Sequence, residues 1–184
     1  MIKVIRNALP VETCEFISLN MDLLFHLLDY PKDDIVEKSS GYYAPIFLES
    51  LLVYLQPLVE KTFSKKLYPT YSYGRIYYKD SQLKKHIDRP PSEFGVSCCI
   101  HKEIDWPIYF EESGKATPYH LNVGDIILYK GMEYNHWRES YRGDKHTQVF
   151  LMYVDVDGKY SDWKWDKREG LGHKMIKEVR DMKK

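Results

Sequence analysis

The 184-residue sequence has no uninterrupted apolar run near the roughly 20 residues that a membrane-crossing helix needs. Nor does it open on the charged stretch, apolar stretch and small-residue cleavage site of a secretory leader. An excess of one charge is missing too, since 27 Lys and Arg balance 27 Asp and Glu. That balance excludes a whole-molecule electrostatic footprint for nucleic acid or an anionic membrane. Cysteine is scarce: Cys14, Cys98 and Cys99 only. An odd count with two adjacent residues is a poor disulfide framework, and without a Cys-x-x-Cys pair structural zinc has no support. The expectation is a soluble, cytoplasmic protein in a reducing setting, with no nucleic-acid or membrane partner. Gly-x-Gly-x-x-Gly, phosphate-loop and Gly-x-Ser-x-Gly patterns are absent, which removes the usual signatures of dinucleotide, P-loop and serine-hydrolase chemistry.

What is present suits one domain over 1–184: a helical prelude at about 10–64, a β core at about 68–156 and a charged tail at 157–184. A chain of this size buries about 70% of the surface its unfolded form exposes, so it needs no staples. Aromatic residues make up 15%, with 16 Tyr, which favours strands and a lined pocket over a helical bundle. Met1–Arg6 reads as a short strand. A helix follows from Pro10, with Phe16, Leu19, Leu23, Phe25, Leu27 and Leu28 at helical spacing, and Tyr30-Pro31 ends it. Residues 31–42 read as irregular. A second helix is predicted from about Pro45 to Phe63, with a kink or break at Pro57. From Tyr68 onward come short β-prone runs: Tyr71–Tyr78, Gly95–Ile100, Trp106–Phe110, Tyr119–Leu121, Asp125–Tyr129 and Thr147–Asp155. Many short strands without helices between them predict a sandwich or barrel, so the fold class is α+β, mainly β. Trp163 and Trp165 suggest a tail that packs back on the domain. The basic cluster of Lys174, Lys177, Arg180, Lys183 and Lys184, interleaved with acids, reads as a solvated helix end.

The sharpest local feature is His86-Ile87-Asp88. Residues two apart on an extended segment point to one side, so an imidazole and a carboxylate would face one point. By itself this spacing is also that of an ordinary surface pair. His136, 136 − 86 = 50 residues further on, is a candidate third ligand. It follows a turn–strand–turn stretch, Gly124 to Gly131, that could set it on a neighbouring strand. Three such ligands would make a facial triad, with coordination positions left open.

Three stretches together carry a resemblance: YSYGRIYYKDSQLKKHIDRPPSEFGVS, GDIILYKGMEYNHWRES and TQVFLMYVD. In this order, over about half the chain, they resemble the 2-oxoglutarate- and Fe(II)-dependent oxygenases, in the branch similar to prolyl 4-hydroxylases. The resemblance implies a double-stranded β-helix (distorted jelly roll), with the N-terminal helices packed on one sheet. It implies Fe(II) held by His86, Asp88 and His136, with 2-oxoglutarate as cosubstrate, O₂, and ascorbate as reductant. It further implies hydroxylation of an amino-acid-like or peptidyl substrate, small molecule or peptide, with release of succinate and CO₂. Tyr77 stands where similar enzymes place a tyrosine on the far carboxylate of 2-oxoglutarate; otherwise it is a core or surface tyrosine. Arg75, two residues earlier, shares its face and could clamp a carboxylate. One departure is plain. Similar enzymes carry Arg or Lys about ten residues after the last histidine, and here that position is His146. Either His146 is held as a cation, or Arg75, Arg89 or Arg138 supplies the charge.

Two other functions fit the same residues: a cupin-type metal enzyme without 2-oxoglutarate, favoured by the missing base at 146, and a non-enzymatic jelly-roll binding module. His26 is expected to be packed or at a boundary, whereas His101, His120 and His173 lack a spaced carboxylate partner. Cys98 and Cys99 read as buried small side chains. Arg138 and Glu139 are expected to pair and hold the His136 loop. Residues 31–42, 79–85 and 111–118 are candidate substrate rims.

Overall fold

The structure, a computed structural model, describes residues 1–173. The basic cluster at 174–184 lies outside the described residues. Ten strands and two long helices follow in the order β1 (Ile2–Ile5), α1 (Val11–Leu27), β2 (Ser39–Tyr43), α2 (Ile46–Phe63), β3 (Leu67–Tyr78), β4 (Leu83–His86), β5 (Phe94–Lys102), β6 (Ile108–Glu112), β7 (Lys115–Tyr119), β8 (Ile126–Tyr129), β9 (His136–Arg138) and β10 (Lys145–Asp155). Every strand pairing is antiparallel. The larger sheet runs β1-β8-β5-β10-β3-β2 and the smaller β4-β9-β6-β7. Among the described residues no helix is long and apolar enough to cross a membrane.

Alternation along the strands sends apolar side chains to two layers. Val96, Cys98, Ile126, Leu128, Val149 and Leu151 join residues of both helices in the main core. Cys99, Ile127 and Tyr129 point the other way and meet Ile108 and Phe110 of the smaller sheet. Adjacent Cys98 and Cys99 therefore serve different layers, and both are buried, as their sequence context suggests.

The helices differ from expectation in two respects. The buried stripe of α1 is Cys14, Ile17, Met21 and Phe25, whereas Phe16, Leu19, Leu23 and Leu27 of the expected apolar stripe are exposed. Both stripes have 3-4-4 spacing, so periodicity alone cannot choose between them. Close approach to the sheet chooses: a Cβ added at Gly74 would meet Met21 Cε at 2.9 Å and Leu48 Cδ1 at 3.0 Å. His26 accordingly lies exposed rather than packed. The second helix matches its expected bounds but continues through Pro57 without a break. The carbonyl that Pro57 leaves without its amide partner belongs to Val53, which is on the exposed face where water can serve it.

Residues 31–42 are not wholly irregular, because β2 pairs with β3 at the edge of the larger sheet. The loop before it is tied down by charge. Arg75 Nε donates to Asp33 Oδ2 at 2.6 Å, Tyr73 donates to the same oxygen at 2.8 Å, and the amides of Ile35 and Val36 donate to Oδ1. Tyr119–Leu121 is not a strand; β7 lies at Lys115–Tyr119 and pairs back on β6. After β10 the tail does pack back, though through its charged residues; Trp163 and Trp165 carry the ammonium groups of Lys167 and Lys164 of the tail itself. Arg168 Nη2 donates to Glu49 Oε1 at 2.5 Å and to the Thr70 carbonyl at 2.9 Å.

Burial pushes the Asp33 carboxyl up, but the Arg75 charge and the two amides outweigh it and hold its pKa below the ordinary value. The stabilisation is therefore complete above the usual carboxylate pKa and is lost as pH falls through the lower folded value. Asp33→Ala leaves a buried guanidinium unmatched and should cost about 3–5 kcal/mol in urea unfolding at pH 7. The deficit should shrink as the pH is lowered into the acid range, and Asp33→Ala with Arg75→Met should recover most of it.

Candidate metal centre

The smaller sheet builds the site. β4 and β9 pair so that His86 stands directly across from His136. Their rings lie 4.3 Å apart between centroids. β4 ends at His86, and the extended chain beyond it is held by the Asp88 amide donating to the Gly131 carbonyl at 2.9 Å. Asp88 Oδ1 is 3.7 Å from His86 Nε2 and 3.7 Å from His136 Nε2. One ligand atom from each of the three residues lies within 4.8 Å of the others. The sequence-predicted triad is thus brought together, on the face turned to the larger sheet, where Phe110 stacks on His136 at 5.4 Å and Tyr129 tilts against it at 5.0 Å.

Hydrogen bonding fixes which nitrogen is offered. His86 Nδ1 donates to the Lys84 carbonyl at 2.8 Å, and His136 Nδ1 donates to the Tyr134 carbonyl at 3.0 Å. Each bond places the proton on Nδ1 and leaves the Nε2 lone pair toward Asp88, an outer layer of support typical of metal-ligating histidines. The second oxygen of Asp88 is buried without a hydrogen-bond partner. Gly131 makes its place: a Cβ there would meet Asp88 Oδ2 at 2.4 Å and the Ser92 carbonyl at 2.4 Å. Two presented imidazoles and a carboxylate with unused lone pairs fit a divalent transition metal with open positions. Burial, foremost, lowers the His136 pKa and favours the neutral, ligating form. At His86 burial also opposes charge, but Asp88 outweighs it and holds the pKa above the ordinary histidine value, so metal and proton compete there.

The other expected site residues sort by what their charges already meet. Tyr77 is fully buried, edge-on to Trp106 at 4.9 Å. It shares a face with Arg75, whose Nη1 donates to its hydroxyl at 3.1 Å. Arg75 is already paired with Asp33, and Arg89 with Asp166 through two bonds of 2.8 Å. Arg138 differs. It is 2% exposed, donates Nη1 to the Trp106 carbonyl at 2.5 Å, lies 4.7 Å from the Trp106 ring centre, and has no ion pair among the described residues. The expected Arg138–Glu139 pair does not form: Arg138 points inward, while Glu139 accepts a hydrogen bond from Trp137 Nε1 at 3.0 Å. Alternation along β9 puts Trp137, and not Arg138, on the outer side. His146 is not a cation either. Burial, with Arg138 next, pushes its pKa down to about 3. Two of the histidines without a spaced carboxylate make exposed ion pairs, His120 with Asp105 at 2.5 Å and His173 with Glu169 at 3.3 Å. Gly131 and the carbonyls of Lys84 and Tyr134 went unnoticed in the sequence, where backbone groups and a turn glycine carry no chemical signature.

No family model matches the sequence, and a search of curated proteins finds no match. Solved structures do match. A prolyl-4-hydroxylase from Pseudomonas putida superposes with a TM-score of 0.68 at 7% identity, over 84% of this chain and 92% of that one. HygX from Streptomyces hygroscopicus, with nickel and 2-oxoglutarate bound, gives 0.68 at 12% identity, over 85% and 83%. The non-haem α-ketoglutarate-dependent carbocyclase SnoK of nogalamycin biosynthesis gives 0.70 at 9% identity, over 85% and 80%. The fold is that of the 2-oxoglutarate- and Fe(II)-dependent oxygenases. At these identities the likeness is one of architecture, and the neighbours include reactions as unlike as hydroxylation and ring closure.

Gly131→Ala should weaken Mn(II) or Ni(II) binding about 10- to 100-fold in calorimetric titration, the range for losing outer support. Asp88→Ala should abolish it. A Gly131→Ala protein with unchanged metal affinity would show that Asp88 is not held there for a metal.

Proposed function

We propose that this protein is a non-haem Fe(II)- and 2-oxoglutarate-dependent oxygenase, with His86, Asp88 and His136 as the iron ligands. The observation that carries the reading is the convergence of His86 Nε2, His136 Nε2 and Asp88 Oδ1, with both imidazole tautomers fixed by backbone carbonyls. The two facing sheets are read as the double-stranded β-helix of that superfamily.

When bound, iron together with 2-oxoglutarate and O₂ supplies the oxidising chemistry, and succinate and CO₂ are released. The chain's own part is binding, orientation and charge. Arg138 is the buried cation that a dicarboxylate needs; the groups whose charge reaches it are Tyr77, Cys99, Tyr129 and, last, Asp105, with which it forms no ion pair. Tyr77 accepts from Arg75, which leaves its own hydroxyl proton to donate to the same carboxylate. Arg75 thus acts through Tyr77 and is itself held by Asp33. This arrangement answers the missing base at 146, the feature that favoured a cupin-type enzyme without 2-oxoglutarate. The proposed reaction is hydroxylation of an amino-acid-like or peptidyl substrate, supported by the likeness to a prolyl-4-hydroxylase. The Asp33-tethered loop at 31–42 and the segments at 79–85 and 111–118 form the proposed rim.

Protein purified without oxygen and mixed with Fe(II), ascorbate and 2-oxoglutarate in air should form succinate, and the anaerobic Fe(II) complex should show a visible charge-transfer band on adding 2-oxoglutarate. Asp88→Ala should lose both; a wild-type protein showing neither would return the choice to a cupin-type enzyme or a binding module. Arg138→Met should weaken 2-oxoglutarate binding about 10- to 100-fold, the worth of a charge-assisted contact. It should leave the melting temperature equal or higher, because the removed charge has no ion pair among the described residues to repay its burial.

A further inference from the structure

The stripe of α1 that the fold leaves uncovered has the form of a second packing face. Phe16, Leu19, Leu23 and Leu27 are between 56% and 80% exposed. Their 3-4-4 spacing repeats that of the buried stripe, Cys14, Ile17, Met21 and Phe25, two residues later in each case. Two residues turn a helix by about 200°, so one stripe faces the larger sheet and the other points almost directly away from it. A surface helix ordinarily keeps that outward face polar. Single exposed leucines need no explanation. Four large apolar side chains in one row do, and on the same helical layer Ile46, Val53 and Tyr54 of α2 are exposed as well.

The chemistry beside the stripe selects what covers it. No Lys or Arg occurs in α1, and its acids are Glu12, Glu15 and Asp22. A helix that lies on a lipid surface carries cations on its polar side, so a membrane is a poor match. The chain as a whole has 27 cations and 27 anions, so two copies approach without long-range repulsion. The stripe is also complementary to its own reverse. At its start stand two acceptors, Glu12 and Glu15. At its end stand two donors, His26 and Tyr30, whose rings meet edge-on at 6.1 Å. All four are exposed, whereas Asp22 is already paired with Lys145. In an antiparallel pair with a two-fold axis near position 21, Phe16 meets Leu27 of the second copy and Leu19 meets its Leu23. Glu12 and Glu15 then meet the Tyr30 hydroxyl and the His26 ring. A parallel pair would set acid against acid. The apolar row with these polar flanks approaches the roughly 800 Å² per partner of a standard interface.

We propose that α1 is a dimerisation helix: two copies of this chain pair through Phe16, Leu19, Leu23 and Leu27, antiparallel about a two-fold axis. Such an interface is isologous, so each side chain acts twice. The helices cover the face of the larger sheet opposite to the one that meets the smaller sheet and its metal centre, so pairing leaves both centres open. The inference is independent of the reaction proposed for them.

Sedimentation equilibrium tests it. Wild type should be a dimer at micromolar concentration. Leu23→Glu should raise the dimer dissociation constant at least ~100-fold, since it buries two unpaired carboxylates. Its far-UV circular dichroism and metal affinity should stay as in wild type, because position 23 is exposed in the single chain. Glu15→Lys should weaken the dimer about 10-fold, and adding His26→Glu should restore it, which only antiparallel pairing allows. Leu19→Cys chains mixed with Leu23→Cys chains should form a covalent dimer on oxidation, and the native cysteines, all buried, do not compete. A wild type that stays monomeric, or a dimer that Leu23→Glu leaves intact, overturns the proposal; a monomer that co-sediments with phosphatidylcholine vesicles would assign the stripe to a lipid surface instead. A dimer that Leu23→Glu breaks, but that the charge exchange does not restore and the mixed cysteines do not cross-link, overturns the antiparallel arrangement.

Discussion

Charge between two β-sheets is costly unless something of opposite sign meets it. Within this fold the rule is obeyed at Arg75 by Asp33, at Arg168 by Glu49, and at Arg89 by Asp166. These pairs also hold the irregular parts of the chain: the loop before β2, the tail after β10, and the turn that follows the metal-site strand. Two buried charges among the described residues lack this compensation within the chain. One is the second oxygen of Asp88 and the other is the guanidinium of Arg138. They have opposite sign and lie on the same small sheet and its continuation, yet no ion pair joins them: Arg138 is held to the Trp106 carbonyl, and Asp88 Oδ1 faces the two histidines. A divalent cation at the first and a carboxylate at the second would complete the pattern. The proposed chemistry needs those two species and no other charged partner.

The same constraint explains which site residues could be read in the sequence. His86, Asp88 and His136 could be singled out because the stretches that carry them resemble a known family; their spacing by itself is also that of a surface pair. Their support could not. Gly131 is required because Asp88 and the Ser92 carbonyl occupy the space of a side chain, and only the folded turn reveals that. Cations were harder still. Arg75, Arg89, Arg138 and His146 were equal candidates in sequence, since pairing decides which charge is spare and pairing partners lie 42 and 77 residues away for the first two. A likewise nonlocal choice settled the face of α1. Its two apolar stripes are indistinguishable by period, and Gly74, far along the chain, selects the one bearing Met21. Strand class, the run of α2 and the burial of Cys98 and Cys99 depend on local pattern, and those the sequence shows directly.

A neutral histidine at 146 follows from this economy of charge. With Arg138 outside any ion pair among the described residues, a second cation beside it would add repulsion in the protein interior. Burial and Arg138 together drive the imidazole to its uncharged form, so the empty site carries one uncompensated cation and not two. His146 Nε2 lies 2.8 Å from Gln148 Oε1, and Gln148 Nε2 donates to Ser97 Oγ at 2.6 Å, a line of groups that can each give or accept a hydrogen bond without carrying charge. A carboxylate in place of Gln148 would fix the direction and charge the imidazole; an apolar residue would break the line. The residue types found there keep the imidazole hydrogen-bonded without adding charge to the protein interior.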